Sequence, residues 1–224
     1  MVLAFFRSSD HTPIKEVEAI LVGMLQNAAI VYDTATEAVF GAGKSKEARK
    51  KVRRTDKQID RGQEEVRQKL MVHGAVRGPD TYLPIVLAYM SVVKDVERVG
   101  DYAKNLYDLA RYGADLTEGP DAEVLAEHRE LVGDFIAEAS EIFESSDIDA
   151  AQAFCERVDE FTSVCDAAVR EAHASQGAAS DAVARALFYR FMKRIAAHLL
   201  NLVSSMILPI DQLDYYDEPA EDRS

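Results

Sequence analysis

Four carboxylates in the N-terminal half, Asp56, Asp60, Glu97 and Asp101, have the type and spacing of ligands for a hard metal ion. Counting core positions at four-then-three spacing puts Asp56 inside an apolar helix stripe made by Val52, Asp56, Ile59, Gln63, Val66 and Leu70. An ionised carboxylate in such a place needs a compensating cation or it stays protonated. Asp60 follows one turn later, and Glu97 and Asp101 share a face of a later helix, about 6 Å apart along its axis. Gly100 lies between that second pair and removes a side chain where another backbone or an ion could approach. Oxygen-only ligands suit a divalent or trivalent ion such as Fe, Mn or Mg, and do not select one of them. The competing arrangement is ordinary ion pairing of these acids with Lys94, Arg98 or Lys104.

Other chemistries find less support. Gly43-Lys44-Ser45 has the end of a phosphate loop, but Ala38 stands where the first glycine is required and a helix, not a strand, precedes it. None of the five histidines has a glutamate three residues earlier, as a ferritin-like di-metal oxidase would need. No Gly-x-Ser-x-Gly nucleophile elbow occurs. His73, His128, His173 and His198 read as surface or loop residues, with His198 beside a core row. No residue is assigned as catalytic, and the chain reads as a non-enzyme. A carboxylate-bound metal enzyme acting on phosphate esters is the alternative.

The elements that must position the four acids are helices. The 224 residues are 48% hydrophobic, Gly and Pro are sparse, and alternating β-branched runs are absent, so an all-α fold is expected. Six amphipathic stripes fall at about Ile14–Phe40, Ser45–Val72, Thr81–Tyr112, Asp121–Glu144, one after Ser146, and one after the small-residue loop Ala174–Ser180. Gly41 and Gly43 end the first, and the segment His73 to Asp80 breaks the chain before Asp80 caps the third. The third holds a continuous heptad stripe of Ile85, Tyr89, Val92, Val96, Val99, Ala103, Leu106 and Ala110.

Shifting the third stripe by 96 residues lays Val92, Val96, Val99, Ala103 and Leu106 on Phe188, Met192, Ile195, Leu199 and Leu202, with Arg98 on Arg194 and Asn105 on Asn201. This is an internal duplication. Two tandem antiparallel three-helix bundles follow, over 1–116 and 117–210, with an acidic tail over 211–224. The same register sends Glu97 to Lys193 and Asp101 to Ala197, and matching the second stripe to the fifth sends Asp56 to Val158 and Asp60 to Thr162. All four acids vanish together from the second half, as when one site is dismantled as a unit.

The net charge of −13 disfavours nucleic acid as a partner. Lys44 to Arg61 nevertheless carries nine basic residues against three acids, leaving −19 for the rest of the chain. Such a run is a solvated helix face, or a docking patch for an acidic partner or an anionic membrane surface. Cys155 and Cys165 fall in one helix, roughly 15 Å apart, and cannot pair there. The apolar opening Met1–Phe6 is too short to span a membrane, and a cytoplasmic setting is expected.

The third stripe reads Lys94-Asp95-Val96-Glu97-Arg98-Val99-Gly100-Asp101-Tyr102-Ala103-Lys104-Asn105-Leu106, and with it the chain resembles the PhoU family of phosphate-transport regulators. That family repeats a Glu/Asp-x-x-x-Asp pair within a Glu-Arg-Ile-Gly/Ala-Asp-like segment, which Glu97 and Asp101 match. The second copy, Arg190 to His198, keeps the frame without the acids. The resemblance implies a cytoplasmic protein that restrains phosphate uptake or signalling by contacting a membrane phosphate transporter and a sensor kinase, with metal bound on the bundle surface. A PhoU-like accessory of another phosphate permease is the nearest alternative. A bundle that only assembles, as a homodimer for instance, through exposed apolar stripes is the blandest.

Overall fold

Six helices form where the stripes lie, and the described residues, 12–43, 45–77, 79–209, 212, 213 and 216, contain no strand. The structure is a computed structural model. The helices are α1 (Thr12–Val39), α2 (Lys46–Arg77), α3 (Pro79–Arg111), α4 (Ala122–Ser145), α5 (Ile148–Ala174) and α6 (Ala179–Ser204). The apolar opening Met1–Phe6, Lys44 of the basic run and most of the acidic tail lie outside the described residues.

Local chemistry sets most of the ends. Gly41 and Gly43 both take φ +80°, which a side chain resists, and stop α1. Ser45 Oγ accepts the Ala48 N–H and caps α2. Asp147 does the same for α5 through the Ala150 N–H. The break between α2 and α3 is narrower than the sequence suggests: α2 runs on through Gly74 to Arg77, and α3 begins at Pro79, ahead of Asp80. A glycine inside a helix costs about 1 kcal/mol against alanine, which the packing of a long hairpin outweighs. Proline at a helix start needs no N–H partner, so Pro79 and not Asp80 opens α3.

α1, α2 and α3 pack on one another, as do α4, α5 and α6, which gives two antiparallel three-helix bundles. They are joined broadly, α3 against α6 and α1 against α4, so that the two apolar interiors merge into one continuous cluster. Every member of the α3 heptad stripe from Ile85 to Ala110 is buried, and so are its counterparts Phe188, Met192, Ile195, Leu199 and Leu202 on α6. The duplicated helices therefore face each other along the seam. Tyr32 of α1 crosses to the second bundle, donating to the Arg129 carbonyl of α4 at 2.7 Å.

Candidate functional site

The four acids occupy neighbouring turns of α2 and α3. What lets those helices approach is Gly100: a Cβ there would lie 2.5 Å from Cδ1 of Ile59, a core residue of α2. The space expected for a backbone or an ion is filled by that isoleucine. On α2 the row turned fully inward is Val52, Thr55, Ile59, Val66 and Leu70, which puts Asp56 on its flank. Even so, only 15% of the Asp56 side chain is exposed.

The cation beside Asp56 is a lysine. Lys104 Nζ donates to Asp56 Oδ1 at 2.7 Å and to Asp101 Oδ1 at 2.9 Å, bridging α2 and α3. Burial works against the ammonium, but its bonds to Asp56 and Asp101 outweigh it and raise the Lys104 pKa above the ordinary lysine value. Arg98 Nη1 holds the other Asp101 oxygen at 3.1 Å. The remaining two acids lie close enough to feel this group. Burial, then the charge of Asp56, pushes the Asp60 carboxyl upward; burial, then the charge of Asp101, does so for Glu97. Glu97 Oε2 is buried and accepts no hydrogen bond, although the Arg98 guanidinium lies 3.7 Å away.

An orphaned carboxylate oxygen in a cluster of acids is what a metal ligand looks like without its ion. Against that, Asp56 and Asp101 already spend oxygens on Lys104, and among the described residues no group of three or more His, Cys, Asp or Glu side chains is placed to hold a metal. As arranged, the site fits an internal ammonium better than a metal ion, and a metal would have to displace Lys104.

The corresponding place in the second bundle holds a base paired with an acid. Val158 is fully buried, and Lys193, at the position of Glu97, is hydrogen-bonded to Asp166 of α5. Lys193 and Asp166 thus form an ion pair between α5 and α6.

A second polar cluster, not anticipated from sequence, sits on the seam between the bundles. His198 Nδ1 lies 2.9 Å from Asp95 Oδ1, and the His198 ring stacks on Tyr102 at 5.7 Å and 17°. Arg194 covers the other part of the Tyr102 ring and donates to its hydroxyl at 3.3 Å. The 96-residue shift was the available signal, because it makes Tyr102 and His198 equivalent, and equivalent residues on facing helices meet near the axis that relates them. His198 is the partly buried histidine that its place beside a core row suggests, and His128, expected at the surface, is half-buried too, with Nδ1 3.1 Å from the Tyr189 hydroxyl.

With this geometry in hand, the likeness to known proteins is specific. Residues 21–110 match the family model of the PhoU domain, the stretch that carries all four acids. The crystal structure of PhoU from Pseudomonas aeruginosa superposes with a TM-score of 0.74 at 21% identity, covering 87% of this chain and 95% of that one. The phosphate transport system regulatory protein PhoU from Streptococcus pneumoniae gives a TM-score of 0.70 at 18% identity, over 94% and 96% of the two chains. Among curated proteins, none matches the chain. The PhoU resemblance read from Glu97 to Asp101 is borne out, and the fold is the PhoU fold.

Proposed function

We propose that the chain is a PhoU-like regulator of phosphate transport and phosphate signalling, acting in the cytoplasm by contact with a membrane phosphate transporter and a sensor kinase and catalysing no reaction. The observation that carries this reading is the PhoU domain match over residues 21–110 together with a PhoU fold along nearly the whole chain. The site geometry supports it. Two of its acids, Asp56 and Asp101, are held by Lys104 and Arg98 and so brace α2 against α3. Among the described residues no helix is long and apolar enough to cross a membrane, so contact with the transporter would be made from outside the bilayer.

A metal ion, Fe, Mn or Mg in divalent or trivalent form, enters this reading as a competitor of Lys104 for Asp56, Asp60, Glu97 and Asp101. Co-purification from membranes of the native host tests the regulatory reading. The tagged chain is expected to retain a phosphate transporter or a phosphate-responsive kinase, and retention of neither would contradict it.

A further inference from the structure

We infer that the outer face of α2 is a membrane-surface docking face, with anionic lipid headgroups as its ligand. The basic run folds into one side of a single rod. Lys46, Lys50, Arg53, Arg54, Lys57 and Arg61 follow one another at three, four or one residue steps, all exposed, over about 22 Å of helix. α2 packs on α1 and α3 and leaves this side to solvent. Lys46 with Lys50, Lys50 with Arg54, Arg53 with Lys57 and Lys57 with Arg61 are like charges four apart, an arrangement that costs helix stability. Among the described residues none of the six makes an ion pair. The exposed acids on or beside the same face are Glu47, Asp60, Glu64 and Glu65, too few to neutralise it.

Beyond Glu64 and Glu65 the stripe ends in apolar residues. Lys50, Lys57, Glu64 and Met71 recur every seven residues on one line, so the basic side runs into Met71, with Val72 beside it. Met71, Val72 and Val76 of α2 and Leu83 and Leu87 of α3 are each more than half exposed, and all five lie at the hairpin end, where Gly74 approaches Val86. Cations in line with an exposed apolar end are the two components of an interfacial membrane site. Nucleic acid would have no use for the apolar end. What favours lipid is the make-up of the face itself: six exposed cations with no ion-pair partner among the described residues, in line with an exposed aliphatic end. The acids elsewhere do not forbid the contact, because at physiological salt a charge is screened beyond about 8 Å whereas the stripe itself touches the headgroups.

Sedimentation of the full chain with vesicles tests this without any transporter present, so its outcome is separate from that of the regulatory reading. Vesicles of phosphatidylglycerol and phosphatidylcholine in equal parts are expected to bind the chain, and phosphatidylcholine alone to leave it in solution. The triple variant Lys50→Glu, Arg53→Glu, Lys57→Glu is expected to lose at least about a hundredfold in partitioning, at a thermal stability no lower than that of the wild type. Met71→Ser with Val72→Ser is expected to remove the part of the binding that survives high salt. Equal binding to both vesicle types, or a triple variant that binds like the wild type, would overturn the proposal. So would retention on duplex DNA without vesicle binding, and so would loss of a co-purifying protein in the triple variant when the wild type ignores vesicles.

Discussion

Tyr102 and His198, equivalent residues of the two repeats, stack on each other at 5.7 Å and make the seam between the bundles a contact of a motif with its own copy. Asp95 and Arg194 hold the pair from either helix. Because the apolar interiors also merge there, the two bundles are expected to unfold as one unit. Urea unfolding of Tyr102→Ala, followed by circular dichroism and by an extrinsic fluorophore on α5, should give coincident transitions at lowered stability. Separated transitions would show that the halves are energetically independent.

Lys104 is the tie between α2 and α3. Lys104→Met leaves Asp56 and Asp101 facing each other without their shared donor and should lower stability by about 1–3 kcal/mol. The same substitution should raise metal uptake, measured by elemental analysis, above that of the wild type, while adding Glu97→Ala should abolish the gain. A Lys104→Met protein as metal-poor as the wild type would rule out ion exchange at this site.

Glu97 carries a pH signature. Burial and Asp101 raise its folded pKa above the ordinary 4.5, so the native state holds a proton there that the unfolded state has released. Stability contributed by this group therefore falls as pH rises from about 4.5 through the folded pKa, and above that the full penalty of a buried charge remains. Glu97→Gln should stabilise the protein at pH 7 and make no difference well below pH 4.5. Denaturation curves at the two pH values check the sign.

Gly100 is a packing requirement. A methyl group there would meet Ile59 Cδ1 at 2.5 Å, so the fully inward Ile59 side chain would have to shift. Gly100→Ala should cost about 1–3 kcal/mol and loosen the Lys104 bridge by pushing the helices apart. Thermal denaturation of Gly100→Ala beside Gly113→Ala separates crowding from backbone effects, since a Cβ at Gly113 meets nothing and only its φ of +96° resists.

Cys155 and Cys165 are buried, and burial pushes both thiols up to about 12. Neither should react with a thiol reagent at pH 8 in the folded protein, and both should react once it is unfolded.

The helices and the core were legible in the sequence because each stripe repeats at three-four spacing for many turns, which leaves little choice of face. Where the reading slipped, a short-range effect decided. Pro79 opens α3 in place of Asp80, and Thr55 takes the inward position next to Asp56. The four acids were legible as neighbours on α2 and α3, although among the described residues no three such side chains are placed to hold a metal. Their cation was not. Lys104 is three residues past Asp101 and looks in sequence like one more surface pairing, while its reach across to Asp56 depends on the helix spacing that Gly100 and Ile59 set. The Asp95–His198 contact joins residues 103 positions apart and needed the relation between the repeats to be taken into three dimensions.

Phosphate uptake is the most direct test of the regulatory account. Labelled phosphate should enter cells of the native host faster, under phosphate-replete conditions, when the chain is removed, and return to the parental rate when it is restored. An uptake rate and a phosphate-starvation response that stay at parental values without the protein would contradict its role as a PhoU-like regulator.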